Sequence, residues 1–360
     1  MDKYIDYYND SKKVTYHEQT DISNILKLRA VLKTLPDFCK DYFRAMDPLT
    51  TTKTRISYAY DIRIFFQFLL DENPAFKDYS MKDFTVDVLD QLKAIDIEEY
   101  QEYLKVYKNG DKTETNGERG LKRKISALRS FYAYYYKHEF IQTNPTVLVD
   151  VPKTHEKNII RLDADEVAML LDHIEHCGDE LTGQKRVYYE KTKERDLAIV
   201  TLLLGTGIRV SECVGLDVED VDFKNNGIKV TRKGGNEMVV YFGNEVEKAL
   251  KKYLEVRKNI VPVAGHEHAL FYSTQRKRIG IQAVENLVKK YAGAITTTKK
   301  ITPHKLRSTY GTTLYQETGD IYLVADVLGH KDVNTTKKHY AAIDDARRRQ
   351  AAKAVKLRED

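Results

Sequence analysis

The residues with the most chemical promise lie in the second half of the chain. Gly205-Thr206-Gly207 precedes Arg209, and Lys233 stands at a Gly-Gly turn. His304 and Arg307 form a His-x-x-Arg pattern, His330 follows Leu328-Gly329, and Tyr340 comes shortly after. Two arginines can clamp the non-bridging oxygens of a phosphate bidentately, a geometry an ammonium does not match. Histidines donate hydrogen bonds or shuttle a proton, and a lysine can protonate a leaving oxygen. The set suits chemistry at a phosphate ester. Each member alone has a plainer reading. Gly-Thr-Gly is at most half of a phosphate loop, and the full nucleotide fingerprints are absent. A lysine at a turn is commonly only that, His330 would serve as a helix cap, and Tyr340 is one of 25 tyrosines.

Order and wording raise the value of the set. Along the chain run Gly-Ile-Arg-Val-Ser-Glu (207–212), Lys233, His-x-x-Arg (304–307), Leu-Gly-His (328–330) and Tyr340. This series resembles the catalytic signature of the tyrosine recombinases of the phage integrase family. Arg195-Asp196-Leu197-Ala198-Ile199, Thr231-Arg232-Lys233-Gly234-Gly235 and Thr302-Pro303-His304-Lys305-Leu306-Arg307 resemble phrases of its bacterial Xer branch, nearest to the single-recombinase XerS type. The likeness covers roughly residues 25–350. It implies a site-specific recombinase that cuts and rejoins DNA, with Arg209, Lys233, His304, Arg307 and His330 catalytic and Tyr340 as nucleophile. Glu212, three residues after Arg209 on one helical face, is implied as the brace of an active-site side chain; a solvated helix residue is its plainer reading.

The physical chemistry of the set is coherent. A free tyrosine has a pKa of about 10, so only ~10⁻³ of it is ionised near neutral pH, and it needs a cationic pocket to react. A 3′-phosphotyrosine would store the bond energy for religation. Such a route uses no ATP, no metal and no cofactor. Two departures from the family pattern stand out. Ser308 occupies the place where the family often has a second histidine, so one supporting hydrogen bond is lost or replaced. Tyr340 also lies one residue further from His330 than is usual, so its segment is expected to bend.

These side chains need elements to hold them. The expected fold is mainly α, with a small antiparallel sheet in a catalytic domain over residues 161–360. Arg195–Leu204 reads as a mostly buried helix broken by Gly205-Thr206-Gly207, with Arg209 starting another. Ile228 and Val230 alternate after Asn225-Asn226-Gly227, and Met238–Tyr241 follows a Gly-Gly turn, so a hairpin is expected there. Residues 1–24 are polar and Tyr-rich and read as an extension; 151–160 read as a linker. Between them, 25–150 reads as an all-helical core-binding domain. Ile56, Tyr60, Ile64 and Phe68, with Phe65 and Leu69, form one apolar stripe; Ile125, Leu128, Phe131, Tyr132 and Tyr135 form another. Asn109 to Gly117 reads as a polar loop. The resemblance implies that the two domains close on DNA as a C-shaped clamp. Asp344–Val355 reads as a terminal amphipathic helix that would dock on a neighbouring subunit or fold back on its own domain.

Composition narrows the field further. At 360 residues the chain exceeds what one core usually organises. Three scattered cysteines suggest neither a disulfide framework nor a zinc site. No apolar run approaches the ~18–20 residues that span a bilayer. Met1-Asp2-Lys3-Tyr4 lacks the layout of a signal peptide, so the expected location is the cytoplasm, at the nucleoid. Net charge is only +5, but Lys122-Arg123-Lys124 and Arg347-Arg348-Arg349 concentrate it, which counter-ion release from DNA rewards. Either triplet alone is more readily a solvated helix face. Arg55, Lys122, Arg123, Lys124 and Arg129 are the candidate DNA contacts. The resemblance implies double-stranded DNA with an inverted-repeat site as partner and a homotetramer on two duplexes. An accessory DNA translocase or directionality factor is a further partner it suggests. The expected biological role is chromosome dimer resolution at a dif-like site, with integration or excision of a mobile element or phage as the alternative. The remoter alternatives are a type IB topoisomerase or hairpin-forming resolvase, and a non-catalytic DNA-binding module.

Overall fold

The computed structural model describes residues 15–153, 155, 159–232, 235–329 and 333. The chain divides between Glu156 and Lys157 into two compact units. Among the described residues, no helix is long and apolar enough to cross a membrane.

In the first unit, α1 (Tyr16–Leu32) begins with a capping box: Thr15 Oγ1 accepts from Glu18 N, and Glu18 Oε2 accepts from Thr15 N at 2.7 Å. This helix starts inside the stretch expected to be an extension, because the cap satisfies its first amides and Leu28 and Val31 bury its last turns. After α2 (Cys39–Ala45), Thr51 caps α3 (Thr52–Glu72), and Asn73-Pro74 ends it. The buried arc of α3 is Ala59, Ile62, Phe65, Phe66, Phe68 and Leu69. Tyr60, expected in that stripe, is exposed, with Arg63 stacked over its ring at 5.0 Å. The arc is turned because α3 packs on α1 and on α6 at once. Helices α4 (Val88–Gln91) and α5 (Ala94–Tyr103) lead to α6 (Glu118–Lys137), whose Ile125, Leu128, Phe131, Tyr132 and Tyr135 are all buried.

This unit is not all helical. β1 (Val106–Asn109) and β2 (Lys112–Thr115) pair antiparallel where a loop was expected. Gly110 takes φ +61 at the turn. Gly110-Asp111 is the two-residue turn, but the flanking residues are polar and lack the alternation that marks a half-buried strand.

In the second unit, Asp163 caps α7 (Ala164–His176) by exchanging hydrogen bonds with Glu166. Helix α8 (Gly183–Thr206) is central and packs against α7, α10 and α12. It is twelve residues longer at its start than expected, from Gly183 rather than Arg195. Leu197 to Leu203 are buried, and Gly207 ends the helix at φ +63. α9 (Val210–Gly215) follows. The sheet has order β3-β4-β5 (Val221–Asp222, Gly227–Thr231, Glu237–Tyr241), all antiparallel, with Ile228 opposite Val240 and Val230 opposite Met238. α10 (Asn244–Arg257), α11 (Ile281–Ile295), α12 (Pro303–Thr318) and α13 (Ile321–Leu328) complete the described part.

Candidate active site

Two glycines and three arginines build the site. Gly207 and Gly329 end α8 and α13 in the left-handed conformation, at φ +63 and +61. A side chain at either would force a neighbour to shift. A Cβ on Gly207 would lie 2.3 Å from the ring of Tyr310, and one on Gly329 would lie 1.8 Å from Arg232 Nη1.

Arg307, on the second turn of α12, is buried. Its Nη1 donates to Gly207 O at 2.5 Å and its Nη2 to Leu328 O. Arg209 immediately precedes α9. Its backbone N–H donates to Glu212 Oε2 at 2.8 Å, and its Nη1 to Glu212 Oε1 at 2.8 Å. Its Nη2 reaches Gly329 O at 3.4 Å. Glu212 is 3 % exposed and Arg209 37 %, so a buried carboxylate holds a guanidinium whose other edge meets solvent. Arg232, at the end of β4, donates from Nη2 to Val327 O at 2.7 Å. The carbonyls of Val327, Leu328 and Gly329 thus each receive a different arginine. These are carbonyls that a helix end leaves unmatched, and cations there also offset the negative end of the dipole.

His304 is exposed on the first turn of α12. The Ser308 hydroxyl donates to His304 O at 3.1 Å, so it is turned back on its own helix. Lys233, His330 and Tyr340 lie outside the described residues, as does the expected terminal helix 344–355. The residues on either side of the first gap are in place: Arg232 N donates to Asn236 O at 2.8 Å, and Gly235 N to Arg232 O at 3.0 Å.

The basic residues of the first unit divide. Lys122 is exposed on α6. Arg123 is 46 % exposed and donates to Asp61 of α3. Lys124 is buried, 3.6 Å from the same carboxylate. Burial pushes the Lys124 pKa down and the Asp61 pKa up, each opposed by the attraction of the pair. Arg129 donates to the carbonyls of Thr146 and Val149, and Arg55, 12 % exposed, pairs with Asp47. The expectation that all five face DNA is corrected for Lys124: its ammonium is enclosed with Asp61, because α6 turns that position onto α3. Sequence reasoning also passed over Arg232. It was legible only as the neighbour of Lys233; its carbonyl partner on α13 has no signature in the chain.

The chain belongs to the phage integrase family, whose model matches residues 160–347. It is 34 % identical to tyrosine recombinase XerC of Caldanaerobacter subterraneus subsp. tengcongensis, over 82 % of this chain and 79 % of that protein. It is 30 % identical to tyrosine recombinase XerS of Lactococcus lactis subsp. cremoris, over 90 % of this chain and 96 % of that protein. By this kinship it is a tyrosine site-specific recombinase, an enzyme class that needs neither metal nor ATP. The fold is shared with the XerH site-specific recombinase bound to difH substrate (TM-score 0.60, 21 % identity, 84 % of this chain and 79 % of that one). It is shared also with a lambda integrase dimer bound to a core site (TM-score 0.59, 18 % identity, 84 % and 94 %).

Proposed function

We propose that this recombinase cleaves each DNA strand with Tyr340, and that Arg209 and Arg307 hold the scissile phosphate. The observation that carries the reading is the convergence of both arginines on Leu328 and Gly329, the residues just before His330. The Tyr340 oxygen attacks phosphorus, the bond to the 5′-oxygen breaks, and a 3′-phosphotyrosine forms. Lys233 gives its proton to the departing 5′-oxygen, while His304 and His330 take the phenol proton or donate to the phosphate. Glu212 holds Arg209 in place. Religation reverses these steps with a 5′-hydroxyl from the partner duplex, through a Holliday junction.

The Xer names of the relatives favour chromosome dimer resolution at a dif-like inverted repeat, with a tetramer bridging two duplexes. Lys122 and Arg123 are the phosphate contacts we retain for the first unit; contact there positions rather than specifies. The working place is the nucleoid, with an accessory translocase or directionality factor as a further partner.

The test is a nicked suicide substrate carrying the target repeat. Wild-type protein should accumulate a covalent adduct, and Tyr340→Phe should bind the same DNA and form none. Adducts from Tyr340→Phe would remove Tyr340 as nucleophile. Sequencing DNA breaks trapped in cells would separate a chromosomal dif-like site from the ends of a mobile element.

A further inference from the structure

Arg232 has no part in the chemistry above, yet it links two pieces of the site. Its backbone makes the bonds to Gly235 and Asn236 at the base of the hairpin turn, immediately before Lys233. Its side chain leaves the sheet and ends on α13, with Nη2 on Val327 O at 2.7 Å and Nη1 in the space beside Gly329. Nε and Nη1 are buried with no hydrogen-bond partner among the described residues. Burial lowers the Arg232 pKa, Glu212 and Asp326 oppose this, and Arg209 adds to it; the guanidinium stays charged, as arginine does in proteins.

A half-buried cation with two enclosed, unmatched donors is an expensive way to gain stability. An apolar side chain would fill the same space at less cost. What an apolar residue would lack is a directional bond from the hairpin to the helix end. A short turn at the end of a small sheet has little of its own to hold it, and displacing a reacting group by about 1 Å can cost ~10²-fold in rate.

We infer that Arg232 is a positioning residue, which ties the base of the Lys233 hairpin to the C-terminal turn of α13 so that Lys233 reaches the leaving oxygen. The inference rests on the reading of Lys233 as general acid. Cleavage is therefore measured on ordinary DNA and on DNA with a 5′-bridging phosphorothiolate, whose sulfur leaves without a proton. Arg232→Ala should be slowed about tenfold or more on ordinary DNA and run within about twofold of wild type on the phosphorothiolate. A near-normal rate on that substrate also shows that the variant is folded. Should Arg232→Ala melt early, Arg232→Lys, which keeps the charge and the alkyl stem but loses the fork, is read the same way.

Lys233→Ala is run beside it. If Lys233→Ala is rescued by sulfur and the Arg232 variants stay equally slow on both substrates, Arg232 does not act through Lys233. If Lys233→Ala is itself not rescued, the general-acid assignment falls and this inference with it. Wild-type rates for both Arg232 variants on ordinary DNA would also overturn it.

Discussion

Arg307 and Gly207 lie a hundred residues apart and are joined by a 2.5 Å hydrogen bond from guanidinium Nη1 to carbonyl oxygen. The same guanidinium reaches Leu328 O, so one side chain staples the ends of α8 and α13. Arg209, by contrast, is held by Glu212 and keeps an edge in solvent.

The two arginines should therefore fail differently. Both Arg209→Ala and Arg307→Ala should lose cleavage by about 10²–10³-fold, the usual effect of removing one donor from a developing oxyanion. Arg307→Ala should also lower the melting temperature of the second unit by roughly 6–24 °C, from two charge-assisted hydrogen bonds worth ~1.5–3 kcal/mol each. Arg209→Lys, which keeps a cation beside the buried Glu212 carboxylate, should melt within about 2 °C of wild type. Calorimetry on Arg209→Lys and Arg307→Ala, with suicide-substrate cleavage on all three variants, checks this; equal melting losses would contradict the division of roles.

The basic triplet should split in the same manner. Lys122→Ala should reduce the slope of log affinity against log salt by about 0.9 and leave stability unchanged. Lys124→Ala should leave the slope alone but destabilise the first unit by about 1–3 kcal/mol, since the buried Asp61 carboxylate then keeps only Arg123. Salt titrations of DNA binding, paired with urea unfolding, are the measurement. A salt slope that responds to Lys124 and not to Lys122 would reverse the assignment.

Gly207 and Gly110 offer a matched comparison, with φ of +63 and +61. Gly110→Ala meets open space and should cost only the ~1–2 kcal/mol of left-handed strain. Gly207→Ala meets the Tyr310 ring and should cost a further ~1–3 kcal/mol of overpacking. It should also slow cleavage, because the carbonyl that holds Arg307 must move. Unchanged cleavage by a folded Gly207→Ala would mean that this carbonyl does not set the arginine.

Removing residues from Asp344 onward should leave binding to a single site near normal and impair recombination between two sites. The expected basis is docking of the segment on a neighbouring subunit. Gel shifts with one site and recombination between two decide it: full recombination by the truncated protein would place the segment's role within its own subunit or nowhere.

What could be read from the sequence follows the range of the forces involved. The α6 stripe, the stop at Asn73-Pro74, the break at Gly207 and the β4–β5 hairpin all depend on neighbours a few residues apart, and pattern suffices for them. The β1–β2 hairpin escaped because its strands are polar and mostly exposed. Lys124 escaped because its partner sits on another helix and nothing in the sequence pairs the two. The catalytic residue types were legible as a set, whereas the backbone carbonyls that aim Arg209, Arg232 and Arg307 belong to residues whose identity is almost free.

The Arg232 guanidinium occupies the volume that any side chain at position 329 would claim. Positions 232 and 329 are therefore not independent as the sequence varies. A library randomised at 329 alone should return glycine. One randomised at both should return alanine or asparagine at 329 only together with a shorter residue at 232, so drift at 329 must wait for drift at 232.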